Sequence, residues 1–349
     1  MKVEMPYGPR DRIPVEVPDS MLAGVLKPAE LTPASDPLDV VRRALRQPTG
    51  RGRLRDDPRV RWAARLGDGV AIVISDASRP PVERWVVPAL LEELREAGVD
   101  ERQVTVFVGT GSHRPATPDE IAEKLGSELA RRLRVVNHEI DRSPMRFLGF
   151  SRHGHPIVVN REVADSACKI VVGTVLPHPI CGYSGHAKGA VIGVGGAPTI
   201  ASTHTPAMLD DPRVGLGLLD GNPFYETIVD GGRMLGIDFI VNVVCTPDGA
   251  IVDSEAGDMV AAHRALVERT ARPAFEATFS ERADIVLVSA GHPKDHNLYH
   301  IAAEALAVVA GEAAPTPCVK DEGGTIIVVS PIEEGAYSTG FYQRMVQGG

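Results

Sequence analysis

The sequence predicts an α/β protein with a largely parallel sheet, and two regularities carry that expectation. Short β-branched runs alternate with amphipathic stretches, the pattern of strands joined by helical crossovers. Several of those runs end in glycine, proline and ionisable residues, as strands do where they pass into ligand-binding loops. "GVAIVISD" (69–76) is a buried strand followed by a helix through "VVPALLEELREAG". "QVTVFVGTG" (103–111) is the next strand; Thr117, Pro118 and Glu120 then form a capping box with proline at the first helical position. "ACKIVVGTV" (167–175) is a third strand. "DFIVNVVCTPDGAIVDSEAG" is a hairpin with Asp248-Gly249 in its turn, and a helix follows from about Asp258 to Thr270. A second unit begins near Arg272-Pro273, where the strands "ADIVLVSAG" (283–291) and "GTIIVVS" (324–330) flank a helix through "LYHIAAEALAVVA". The expected domains are therefore 1–272 and a smaller 273–349. The first forty residues, rich in proline and valine, read as an extended segment wrapping the first domain.

Composition narrows the classes of function. A chain of 349 residues can build two cores. A net charge of -9 argues against nucleic acid as the main partner, because phosphate backbones recruit basic surfaces. No apolar run approaches the roughly 20 residues needed to cross a bilayer, and "MKVEMPYGPRDR" has no signal-peptide core. The four cysteines (Cys168, Cys181, Cys245, Cys318) lack CxxC spacing, so neither a zinc site nor a disulfide scaffold is indicated. The expectation is a cytoplasmic protein acting on a small molecule.

The chemistry gathers after the strands. The first ends in "SDASRP", with Asp76 and Arg79; the second in "GTGSHRP", with His113 and Arg114. The third leads into "LPHPICGYSGHAK", with His178 and Lys188, and the strand of the second unit into "GHPKDHN", with His292, Lys294 and His296. Taken singly each has a bland explanation: a helix cap, a turn histidine, a proline-stiffened bend, a solvated loop lysine. Four ionisable strand ends in register make one site. "GYSGHAKGA" is not a P-loop, since Ala187 and Gly189 flank the lysine where glycine and Ser/Thr are required. His186, His153, His155 and His263 read as structural or surface residues.

The ordered set "SDASRP", "GTGSHRP", "PHPICGYSGHAKGAVIGVGG", "STHTPAM", "DGNPFYE" and "GHPKDHNLYH" resembles the nickel-pincer lactate racemase family, from "YGPRDRIPVEVPD" through "GGTIIVVS". The resemblance implies a racemase or epimerase of a small 2-hydroxy acid, with lactate one of several substrates and the active site in the cleft between the two α/β domains. It implies a nickel-pincer nucleotide, a Ni(II)-pyridinium-3,5-bisthiocarboxylic acid mononucleotide made by separate cofactor-biosynthesis enzymes. The covalent tether falls on Lys188 and the nickel ligand on His204. The acid/base pair falls on His113 and His178, and the cofactor-holding stretch on Asp76, Ala77, Ser78 and Arg79. Lys294 reaches the substrate carboxylate together with Arg79. The chain departs from the family at the tether, where His186 replaces the second glycine of Gly-Gly-Ala-Lys. It also ends sooner after the 324–330 strand than family members do.

The chemistry suits these residues. The C2–H of a 2-hydroxy carboxylate is a poor acid, so removal as hydride to a planar 2-keto acid is the easier route. A histidine takes the hydroxyl proton as hydride leaves, and return to either face calls for one base on each side. The rival readings are a pyridoxal-phosphate Schiff base on Lys188 and a non-catalytic nucleotide or hydroxy-acid binding protein.

Overall fold

The computed structural model describes residues 1–336 apart from Pro247, Pro293 and Pro315, so the end of the predicted second domain, 337–349, lies outside the described residues. Fourteen strands are described. Two form an N-terminal hairpin, β1 (Lys2–Tyr7) and β2 (Asp11–Glu16). Then come β3 (Val70–Ser75), β4 (Val104–Gly109) and β5 (Arg134–Asn137). A ribbon follows from β6 (Met145–Phe150) and β7 (Pro156–Asn160), then β8 (Cys168–Thr174). The short pair β9 (Pro177–His178) and β10 (Gly182–Tyr183) precedes β11 (Phe239–Cys245) and β12 (Ile251–Gly257). The last two are β13 (Ile285–Val288) and β14 (Thr325–Val328).

The central sheet runs β12-β11-β8-β3-β4-β5, parallel throughout except for the β11–β12 hairpin at one edge. Its strands are continuous apolar runs because both faces are covered. Val70, Ile72 and Ile74 point to one side, against a core built with the helices Pro37–Arg46 and Glu83–Glu96. Ala71, Val73 and Phe107 point to the other, against Val191, Phe224 and Ile228. The capping box at Thr117 forms as its residue types require: the Thr117 hydroxyl accepts from Glu120 N–H at 3.3 Å, and Glu120 returns the bond to Thr117 N–H at 2.8 Å.

The second unit is smaller. β13 and β14 pair in parallel in a two-stranded sheet, with helical turns over Leu298–Ala310 between them. The N-terminal expectation needs correction. The first residues pair from Lys2↔Glu16 to Tyr7↔Asp11, around Gly8 at φ +64°. That hairpin leans on the second unit, where Ser289 Oγ donates to Pro6 O at 2.9 Å and Gly8 N–H to Asp295 Oδ2 at 2.7 Å. Only the following stretch touches the larger sheet, through Ala34 N–H to Ile251 O at 2.8 Å. No helix among the described residues is long and apolar enough to cross a membrane.

Candidate active site

The C-terminal tips of β3, β4 and β8 point into one pocket, and each tip is followed by a loop held by backbone bonds. After β3, buried Asp76 accepts from Ser78 N–H at 3.1 Å and Ser78 Oγ at 2.6 Å with one oxygen. Its other oxygen lies 2.5 Å from His113 Nδ1. Burial alone would raise this carboxyl, but the His113 ring, Ser78 and the Arg79 charge hold it below the usual carboxylate range. A carboxylate accepts only, so His113 carries a proton on Nδ1 and turns Nε2 away from Asp76. His113 is placed by a tight turn, with Thr110 O accepting its N–H at 2.9 Å and Gly193 O accepting from Gly111 N–H at 2.7 Å. There the chain packs backbone on backbone: a Cβ on Gly109 would sit 3.1 Å from Gly193 Cα.

Beneath the Asp76–Arg79 loop lies an ion pair that the sequence did not reveal. Lys124 Nζ sits 3.0 Å from Glu83 Oε2, and both side chains are buried. The same ammonium donates to Ser75 Oγ at 3.1 Å and to Arg79 O at 3.3 Å, tying the loop to two helices.

After β8 the chain makes the β9–β10 pair, and His178 is fixed by its own loop. Its Nδ1 accepts from Ile180 N–H at 3.2 Å and Cys181 N–H at 3.1 Å, so the neutral ring carries its proton on Nε2. Burial first, then the charges of Lys188, Arg79 and Lys294, push His178 well below the ordinary imidazole value. The two histidines are thus held in opposite tautomers.

Lys188 immediately precedes the short π-helix Gly189–Gly193. His186 stands two residues before it at φ +38°, a conformation that a side chain adopts at a cost. Its Nδ1 accepts from Lys188 N–H at 3.0 Å, and its Nε2–H points to Cys181 Sγ at 3.6 Å. The ring packs 4.6 Å from the His263 ring and 5.0 Å from Tyr225. With both nitrogens engaged inside the protein, His186 is a structural residue that sets the backbone of Lys188.

His204 caps the helix Ala197–Thr203. Its Nδ1–H donates to Ile200 O at 3.1 Å, leaving Nε2 as the lone-pair nitrogen. Burial, then the Lys188 charge, lowers it to about 4, so the ring is neutral at physiological pH.

Asp76, Ser78, Arg79, His113, His178, Lys188 and His204 line one cavity of about 260 Å³, and Tyr299 and His300 of the second unit close it. Ala77 lines the adjoining cavity, shared with His292 and His296. Lys294 is buried, and its charge is felt at His178. Of the strand-end residues, Asp76, Arg79, His113, His178 and Lys188 therefore converge on one cavity, while Arg114, paired with Glu120 at 2.6 Å, lines the adjoining one with His292 and His296. His300 is a site residue the sequence reading passed over; its ring stands edge-on to His113 with centroids 5.3 Å apart. It sits inside the "GHPKDHNLYH" string, which was the available signal.

His113 and His178, bonded through Nδ1 to a carboxylate and to backbone N–H groups respectively, face a lysine-bearing loop, an arrangement able to move protons on a bound small molecule, as an isomerase does. The model of the lactate racemase N-terminal domain matches residues 7–217. The lactate racemase of Thermoanaerobacterium thermosaccharolyticum is 29% identical over 348 residues, covering 98% of this chain and 77% of that one. That of Lactiplantibacillus plantarum is 29% identical over 350 residues, covering 98% and 78%. The structure of the Thermoanaerobacterium lactate racemase apoprotein superposes with a TM-score of 0.82 at 28% identity, over 98% of this chain and 77% of that chain. The chain belongs to the lactate racemase family.

Proposed function

We propose that this isomerase racemises or epimerises a small 2-hydroxy acid, using a nickel-pincer nucleotide tethered to Lys188. The observation that carries the reading is the pair His113 and His178, which line one cavity with Lys188 and His204. The donor set fits the group. His204 is neutral with Nε2 free to ligate, its orientation fixed by Ile200 O in the manner of metal-bound imidazoles. Gly185, Gly189 and Gly193 line the same cavity as the lysine, and Asp76, Ala77, Ser78 and Arg79 would hold the nucleotide from the β3 side. The group supplies an electrophilic centre able to accept hydride from C2.

The protein's own residues do the rest. Arg79 and Lys294 clamp the substrate carboxylate as charge-assisted donors. His113 takes the hydroxyl proton at Nε2, and the imidazolium so formed is stabilised by Asp76 against Nδ1. His178 starts as an Nε2–H donor, so to act as the base for the opposite enantiomer it must release Ile180 and Cys181 N–H and take the hydroxyl proton on Nδ1, becoming an imidazolium. The division into residues 1–272, carrying cofactor and bases, and 273–349, carrying Lys294, belongs to the same proposal.

The test is an intact mass of the protein made together with the cofactor-building enzymes. An adduct that maps to Lys188 and disappears with activity in Lys188→Ala supports the tether. In His204→Ala the organic adduct should remain while nickel is lost. An adduct on another lysine, or unchanged nickel in His204→Ala, overturns the assignment.

A further inference from the structure

We infer that His292, Asp295 and His296 form a second metal site, for a zinc-type divalent cation, at the mouth of the cavity beside the acid/base residues. One ligand atom from each of the three lies within 4.8 Å of the others. His292 Nδ1 is 4.0 Å from Asp295 Oδ1, and the two imidazole rings stand 4.8 Å apart. A tetrahedral cation with bonds of about 2.0–2.1 Å places its ligand atoms roughly 3.3 Å from one another. The three groups therefore need to close by up to about 1.5 Å, within the reach of a partly exposed histidine side chain.

Asp295 supplies an independent observation. It is fully buried, and its Oδ2 is used by Gly8 N–H at 2.7 Å. Its Oδ1 is equally buried, has no hydrogen-bond partner and faces the two histidines. A buried carboxylate oxygen without a donor is costly, and a cation bonded to it removes that cost. Two imidazoles and one carboxylate suit a borderline cation such as Zn²⁺ rather than Mg²⁺ or Ca²⁺, which prefer all-oxygen sets. Glu333, with Oε2 3.5 Å from His296 Nδ1, or water completes the coordination.

The site has a function for the turn that carries it. Lys294 lies between the first two ligands in sequence, so a bound cation would fix the turn presenting that lysine. The same carboxylate anchors the N-terminal hairpin through Gly8, which makes the metal a clamp joining hairpin, turn and cavity mouth.

The proposal stands apart from the cofactor reading, and Lys188→Ala protein separates the two, because it has no tether. EDTA-stripped full-length Lys188→Ala protein is titrated with ZnCl₂ at pH 7.5 by calorimetry, with bound metal counted by elemental analysis. One equivalent is expected to bind, and the Lys188→Ala/His204→Ala protein should retain it. Adding His292→Ala or His296→Ala should weaken it by about 100-fold or more, since even indirect partners of a metal cost 10–100-fold. Co²⁺ should give visible d–d bands that both histidine substitutions abolish. Asp295→Asn also breaks the tie to Gly8, so the histidine variants, checked for native circular dichroism, carry the test. Zinc bound equally well by the His292→Ala/His296→Ala protein, or lost only with His204→Ala, overturns the site, as does less than one equivalent bound.

Discussion

Asp76→Asn is the substitution in which the geometry makes the sharpest demand. Asp76 uses one oxygen to accept from both Ser78 N–H and Ser78 Oγ, and the other to accept from His113 Nδ1. An asparagine can keep only one of these arrangements. With its carbonyl on Ser78, its amide group faces His113 and donates to Nδ1, which drives the ring proton to Nε2 and removes the basic lone pair. With the amide reversed, His113 keeps its tautomer, but two N–H donors confront each other at Ser78 in a buried site. That mismatch costs about 1–3 kcal/mol, so the productive orientation falls to a fraction smaller by about 5- to 150-fold. The asparagine is also neutral, so it no longer stabilises the imidazolium that forms when the hydroxyl proton arrives. Together these place the loss in kcat at about 10²- to 10⁴-fold, the range for removing a general base. Racemisation of the best 2-hydroxy acid, followed by chiral chromatography, reads it, with substrate affinity measured separately. Activity within about threefold of the parent would show that the Asp76–His113 pair does not set the working tautomer.

Three further outcomes follow from the packing. Stability should fall as pH drops from 7.5 to 5.0, because burial holds His204 and His263 near 4 while the unfolded chain takes up protons near 6.5. At pH 5 that is about 2 kcal/mol for each of the two, and paired carboxylates such as Asp76 contribute only below about pH 4; a urea midpoint equal or higher at pH 5.0 would contradict it. His186→Gly should be more stable than His186→Ala by about 1 kcal/mol, since both lose the ring but only alanine must hold φ +38°; thermal melts showing the reverse order would mean the loop relaxes. Lys124→Met should cost about 3–5 kcal/mol by stranding Glu83, and the Lys124→Met/Glu83→Leu double variant should recover most of it in urea titrations. Equal destabilisation by the single and double variants would locate the cost in lost packing instead.

The elements legible in the sequence were those written in local pattern. The β3, β4 and β8 runs are apolar because both sheet faces are covered, and the Thr117 capping box closes through neighbours three residues apart. Asp76, His113, His178 and Lys188 were legible for the same reason, as polar interruptions at strand ends. What was hidden depends on contacts distant in sequence. Nothing near Gly8 announces a bond to Asp295, 287 residues away, and so the hairpin was read as an extended wrap. Lys124 looks like any lysine on an amphipathic helix until Glu83 is placed against it. The tautomers of His113, His178 and His204 follow from a carboxylate, two amides and a carbonyl whose positions only the folded chain supplies.

The contact between Gly109 and Gly193 has an evolutionary consequence. Each glycine keeps vacant the space that a methyl group on the other would need, at 3.1 Å in one direction and 3.1 Å in the other. No compensating change at the partner can make room, because the obstructing atoms are main chain and every residue has them. The pair therefore restrains drift: a side chain at either position requires the two backbones to part by a few tenths of an ångström. In a saturation library selected for folded protein, both sites should be depleted of residues other than glycine, alanine being the least disfavoured. The tip of β4 and the helix after Lys188 are consequently bound to one separation, whatever substrate the surrounding side chains are altered to accept.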